Sequence, residues 1–186
     1  IAIIGSGSAF TRHLASDILQ LPGLEEGTFA LVDVDARRLE LSVKLVRRLI
    51  GMSGKKWTVE ASTERRDVLP GSRFVINQIE VAGLATVRNE FEIPLRYGVK
   101  QCIGDTLGPG GLFKTLRTLP VWLDIVRDIE KWCPDAFILN YTNPMSAVTL
   151  ATSRSTRLPV VGLCHSIQNT SRQLAKYLDV PYEKLD

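Results

Sequence analysis

The stretch Ile1-Ala2-Ile3-Ile4-Gly5-Ser6-Gly7-Ser8-Ala9-Phe10 decides the fold. Four apolar residues run directly into Gly5-Ser6-Gly7, as in a parallel strand covered on both faces. The glycines permit a tight turn whose backbone N–H groups face outward with no Cβ in the way. A helix is expected to start around Ala9 to Thr11. A phosphate at that N-terminus would meet free N–H donors and the positive end of the helix dipole. Phe10 stands where the usual third glycine of the dinucleotide motif falls, so the pattern is Gly-x-Gly-x-x-Phe. Taken alone, it fits an ordinary strand-to-helix turn as well as a cofactor turn.

The second half of the fingerprint lies downstream. Phe10 to Gln20 reads as a helix, with Leu14, Ile18 and Leu21 spaced for one buried face, and Pro22-Gly23 ends it. Thr28 to Val32 is a second apolar strand that finishes at Asp33-Val34-Asp35. A carboxylate at that position accepts hydrogen bonds from both ribose hydroxyls of a dinucleotide, and its charge favours NAD over NADP. Asp33 is the expected ribose ligand and Asp35 the expected cap of the next helix.

That helix, Ala36 to Ile50, is amphipathic: Leu39, Val43, Val46 and Ile50 face inward and Gly51 is its expected stop. Strands follow at Trp57 to Ala61 and Arg73 to Ile79, the second ending near Asn77-Gln78. Leu84 to Tyr97 is expected to be helical, bent or broken before Pro94. The run Gly104-Asp105-Thr106-Leu107-Gly108-Pro109-Gly110-Gly111 is expected to exclude a long regular element and to form a hinge or a wall of the site. A long helix from Leu112 to Trp132 follows, with Leu116, Leu119, Leu123, Val126 and Ile129 inward and a kink at Pro120. A fifth strand, Ala136 to Leu139, ends in Asn140-Tyr141-Thr142-Asn143-Pro144. A sixth, Val160 to Leu163, ends in Cys164-His165-Ser166, where Ser166 can cap a last helix from Ile167 to Leu178.

Alternating strands and helices of this kind make an α/β fold: a Rossmann-like, doubly wound parallel sheet with helices on both faces, as one domain over residues 1–186. Its strand ends converge on one edge, bringing together Gly5, Gly7, Asp33, Asn77, Gln78, Asn140, Asn143, Cys164 and His165. Cys164-His165 is the sharpest pair there. It suggests a thiolate metal ligand beside an acid/base imidazole, or a nucleophile with its base, although adjacent strand residues point to opposite faces.

The composition narrows the class. Hydrophobic residues are 45% of the 186 and charged residues 23%, an ordinary globular balance. The net charge of +3 is small, and the basic pairs are scattered, which argues against a nucleic-acid partner. No apolar run approaches a membrane span, and no signal peptide is visible, although the chain opens on Ile1 without a methionine, so its true N-terminus is expected to lie upstream. Cys102, Cys133 and Cys164 are an odd number without metal-type spacing among themselves, which fits reduced thiols in a cytoplasm.

The combination of Gly5-Ser6-Gly7-Ser8 with Phe10, Asp33-Val34-Asp35, Gly104-Asp105-Thr106-Leu107-Gly108-Pro109-Gly110-Gly111, Asn140-Tyr141-Thr142-Asn143-Pro144-Met145 and Gly162-Leu163-Cys164-His165-Ser166 resembles glycoside hydrolase family 4 along essentially the whole chain. These are NAD- and Mn-dependent glycosidases, similar in fold to lactate and malate dehydrogenases and outside the two-carboxylate scheme of most glycosidases. The Cys164-His165 pair resembles the α-galactosidase branch; the 6-phospho-glycosidase branch typically carries Cys-Asn or Cys-Asp there.

The resemblance implies a redox route. NAD⁺ takes hydride from C3 of the sugar and so acidifies the C2 proton, a metal stabilises the ene-diolate, and the glycosidic oxygen leaves C1. Water then adds, and the hydride returns. It further implies Gly5, Gly7, Ser8, Phe10, Asp33 and Asn77 as cofactor contacts, Asn143 and Asp105 as sugar contacts, Cys164 as a Mn²⁺ ligand, and His165 and Asp105 as acid/base residues. A small-molecule glycoside is the implied partner, and homo-oligomers are expected. Family members are far longer than this chain. The second metal-binding histidine and the tyrosine base are therefore expected beyond Asp186, and the 186 residues alone are expected not to turn over. Two other readings share the fold: an NAD-dependent 2-hydroxy-acid dehydrogenase, which would not need Cys164-His165, and a non-enzymatic NAD-binding module without metal-linked sugar affinity.

Overall fold

The structure, a computed structural model, describes residues 1–101, 105–164 and 166–185. Six strands form one sheet: β1 (Ala2–Ile4), β2 (Glu26–Val32), β3 (Lys56–Ser62), β4 (Phe74–Asn77), β5 (Phe137–Asn140) and β6 (Val160–Gly162). Their spatial order is β3-β2-β1-β4-β5-β6, and every pairing is parallel. This is the doubly wound arrangement expected from the sequence. The strand order reverses between β1 and β4, where such sheets bind ligands.

Helices α1 (Thr11–Gln20), α2 (Ala36–Ser53), α3 (Gly83–Arg96), α4 (Gly108–Trp132), α5 (Met145–Ser155) and α6 (Ser166–Leu178) connect or follow the strands. The two-residue period of β1 splits the core between the sheet's faces. Ile3, with Phe29, Leu31 and Ile76, packs on Leu14, Ala15 and Leu19 of α1 and Leu39 and Val46 of α2. Ala2 and Ile4, with Val75 and Ile138, pack on Trp122, Ile125, Val126 and Ile129 of α4 and Val148 of α5. The Trp122 indole N–H donates to Thr152 Oγ1 of α5 at 2.7 Å, which satisfies the one polar atom of a fully buried ring.

Several local expectations need correction. Helix α2 runs through Gly51 to Ser53, and the stop is Gly54, at φ +70°. Leu21 lies beyond the last turn of α1 and is exposed, while Leu19 takes the buried position. Helix α3 is present as expected but is not broken at Pro94, running on to Arg96. Helix α4 begins at Gly108, inside the run expected to exclude a regular element, with Pro109 in its first turn, where a missing N–H costs nothing. A Cβ on Gly111 would stand 2.8 Å from the Thr106 carbonyl oxygen, so the glycine lets the 105–107 turn fold back onto the helix. The inward stripe of α4 is Thr118, Trp122, Ile125, Val126 and Ile129, whereas Leu116 is exposed. Ser166 is the first residue of α6 rather than its cap. Helix α5 stands where the sequence reading has no element.

Candidate functional site

The last residues of the strands lie level across the sheet: Ile4 pairs with Val32 and with Asn77, Asn77 with Asn140, and Asn140 with Gly162. Everything just past these residues therefore shares one edge. A groove of about 1190 Å³ runs along it, walled by Gly5, Gly7, Ser8, Asp33, Gln78 and Glu80, among others. Its volume exceeds the ~300–1,000 Å³ usual for ligand pockets.

The turn after β1 packs too closely on its neighbours for a side chain at Gly5. Gly5 has φ +80°, and a Cβ there would stand 2.8 Å from the Gln78 carbonyl oxygen. The N–H groups of Gly5 and Ser6 both donate to the Val32 carbonyl, which ties the turn to β2. The Ser6 carbonyl in turn accepts from Thr11 Oγ1 at 2.7 Å and from Ser42 Oγ. Gln78 Nε2 donates to Thr11 Oγ1 at 2.5 Å. Thr11, Ser42 and Gln78 thus brace the turn from below, a role that spacing alone could not reveal.

Asp33 sits at the end of β2 as expected. Its Oδ2 accepts from the Gly7 N–H at 2.7 Å and its Oδ1 from the Asp35 N–H at 2.9 Å. A Cβ on Gly7 would stand 2.7 Å from Asp33 Oδ2 and 2.6 Å from the Arg38 Cβ, so only glycine fits the contact. Asp35 caps α2, accepting from the N–H groups of Arg37 and Arg38. Ser8 lines the groove.

Phe10 and Asn77, both expected as cofactor contacts, also have partners within the chain. Phe10 turns toward Tyr141, with ring centroids 5.3 Å apart in an edge-to-face pair, and packs on the α1/α2 core. Burial, with Asp17 adding to it, pushes the Tyr141 phenol above its ordinary pKa. Asn77 is fully buried, and its Nδ2 donates to Asn140 Oδ1 at 2.9 Å. It is a strut between β4 and β5, because Asn77 and Asn140 are register partners and side chains of paired residues project on the same face of the sheet. Gln78 is the residue that reaches the wall.

Asp105 and Asn143, far apart in sequence, are brought together: Asn143 Nδ2 donates to Asp105 Oδ2 at 3.1 Å. The peptide bond between Asn143 and Pro144 is cis. Two residues that sequence reasoning missed join this group. Lys114, buried in α4, stands 3.5 Å from Asp105 Oδ2 and 2.6 Å from Glu80 Oε2 in the groove wall. Neither carries a motif signal, since a lysine in a helix normally reads as a solvated residue.

Cys164 is exposed and unpaired, following Leu163, whose N–H donates to the Asn140 carbonyl. His165 lies outside the described residues. Among the described residues, no three His, Cys, Asp or Glu side chains come close enough to hold a metal. Gly5, Gly7, Ser8 and Asp33 thus share the groove, and Cys164 is the one expected metal ligand among the described residues.

This turn, acid and groove on a doubly wound sheet define a dinucleotide-type site, and comparison with known proteins narrows it. The model of family 4 glycosyl hydrolases matches residues 1–180, and the chain belongs to that family. It is 40% identical, over its whole length, to an α-galactosidase of Bacillus subtilis (strain 168), covering 44% of that protein. It is 37% identical to an α-glucosidase of Erwinia rhapontici, again over its whole length and 42% of the relative. The structure of a 6-phospho-α-glucosidase from gut microorganisms, in complex with NAD and Mn²⁺, superimposes with a TM-score of 0.86 at 26% identity, over 100% of this chain and 42% of that one. The chain thus spans less than half the length of each of these relatives.

Proposed function

We propose that this chain forms the NAD-binding part of a glycosidase that cleaves small O-glycosides, α-galactosides foremost, in a reducing cytoplasm. In this reading NAD⁺ supplies a temporary hydride acceptor for the sugar, and a divalent metal, Mn²⁺ by analogy with the superimposed relative, polarises sugar oxygens. The observation that carries it is the groove itself: a glycine turn in which a Cβ on Gly5 or Gly7 would collide, facing an Asp33 already oriented by two backbone N–H groups.

Gly5, Gly7 and Ser8 hold the dinucleotide phosphates at the N-terminus of α1, and Asp33 accepts from the ribose hydroxyls. Asp105 and Asn143 contact sugar hydroxyls. Cys164 is one metal ligand, and His165 serves as an acid at the leaving oxygen. The 40% identity to an α-galactosidase supports the galactoside, and the 37% identity to an α-glucosidase makes the glucoside the second reading. Free Cys133 and Cys164 suit the compartment. Exposed Leu112, Phe113 and Leu116 on α4, with Tyr177 and Leu178 on α6, support association with further copies of the chain.

Two measurements test this. Calorimetric titration of the chain with NAD⁺, with and without Mn²⁺, should show saturable binding to folded protein. Assay of the complete enzyme on paired α-galactosides and α-glucosides should show higher kcat/KM for the galactoside. Absence of cleavage of either would overturn the reading.

A further inference from the structure

The neighbourhood of Lys114 is not explained by cofactor binding. The residue is 3% exposed, a rare position for an ammonium group. Burying an unpaired cation costs several kcal/mol, and two carboxylates offset that cost here. Lys114 Nζ donates to Glu80 Oε2 at 2.6 Å and stands 3.5 Å from Asp105 Oδ2. Glu80 belongs to the cofactor groove, whereas Asp105 pairs with Asn143 at the end of β5. One hidden cation thus joins the two halves of the site.

The arrangement around Asp105 is asymmetric. Its Oδ2 takes both the Asn143 amide and the Lys114 charge. Among the described residues nothing hydrogen-bonds its Oδ1, and the side chain is 27% exposed. An unanchored carboxylate would rotate and offer either oxygen. With Oδ2 held from two directions, Oδ1 remains available as an acceptor. The reach is possible because the 105–107 turn folds onto the first turn of α4, where the Gly111 N–H donates to the Leu107 carbonyl.

We propose that Lys114 is a positioning residue that fixes Asp105 for a sugar hydroxyl and registers it against the cofactor groove through Glu80. The proposal rests on the reading of Asp105 as a sugar contact. Lys114 itself does not touch substrate.

The test uses the complete enzyme, with steady-state kinetics on an α-galactoside and NAD⁺ titration of Lys114→Met, Lys114→Arg, Asp105→Asn and the double variant Asp105→Asn/Lys114→Met. Lys114→Met should lower kcat/KM by about 10- to 100-fold, mainly through KM, because a small misplacement of a binding group is costly. NAD⁺ affinity should stay within about threefold, and Lys114→Arg should recover most of the loss. In the Asp105→Asn background the lysine substitution should add little, since both changes remove one interaction. Lys114→Gln runs in parallel, so a methionine variant that fails to fold still leaves the cycle readable. Three results would overturn the proposal: full multiplication of the two losses, a silent Lys114→Met, or NAD⁺ affinity that falls in step with kcat/KM. A wild-type enzyme that cleaves no α-glycoside overturns the functional reading itself, and the proposal with it.

Discussion

The Gly7 N–H donates to Asp33 Oδ2 at 2.7 Å, which joins the turn after β1 to the end of β2 across 26 residues of sequence. The acid that should bind ribose is therefore also the clamp on the phosphate turn. Asp33→Ala should weaken NAD⁺ binding by about 10- to 100-fold, the range for losing a hydrogen bond to a charged group. It should also narrow the preference for NAD over NADP, because the charge that repels a 2′-phosphate is gone. Calorimetry with both dinucleotides checks this; unchanged affinity would remove Asp33 from the site.

Gly7→Ala attacks the same contact from the other side. Its methyl group would stand 2.7 Å from Asp33 Oδ2 and 2.6 Å from the Arg38 Cβ, so turn and acid must part. The protein should stay folded, because the groove edge can shift without opening the core, but NAD⁺ binding should fall at least about as far as in Asp33→Ala. Circular dichroism with calorimetry separates the two effects.

Asn77→Ala should behave in the opposite way. Its amide is enclosed and bonded to Asn140, so the variant leaves a buried carbonyl short of a donor. A stability loss of about 1–3 kcal/mol is expected, with NAD⁺ affinity in the folded protein changed little. Denaturant unfolding measures the first and calorimetry the second.

The two described cysteines should differ in reactivity. Cys133 is 3% exposed, and burial pushes its thiol above the ordinary pKa, so near neutral pH it stays protonated and unreactive. Cys164 is exposed. Brief alkylation mapped by mass spectrometry should mark Cys164 and spare Cys133. In the complete enzyme, Mn²⁺ should slow labelling of Cys164. Labelling indifferent to the metal would argue against its role as a ligand.

The parts of this site that could be read from sequence are those where the backbone carries the chemistry. Gly5, Gly7 and the cap at Asp35 follow from conformational rules that hold whatever surrounds them. Asp33 followed from its place at a strand end. Phe10 and Asn77 were harder, because whether a side chain faces the groove or a neighbouring element is set by packing. Lys114 was invisible for the same reason. The expected and observed stripes of α4 share Val126 and Ile129, but toward the N-terminus Leu116 is exposed and Thr118 and Lys114 take the inward positions, so the lysine is hidden from the periodicity. Helix α5 was missed because its Thr- and Ser-rich sequence carries a weak periodic signal, and its place comes from Val148 and Thr152 packing against α4.

The proposed function has hydrolysis run through sugar oxidation on a dinucleotide. The most direct measurement is to let the complete enzyme cleave an α-galactoside in D₂O with NAD⁺ and Mn²⁺ present, and to examine the released galactose by NMR. The account predicts deuterium at C2, because that proton must leave and return during turnover, and loss of activity when NAD⁺ is removed. Galactose released at full rate with protium at C2 and without NAD⁺ would contradict it.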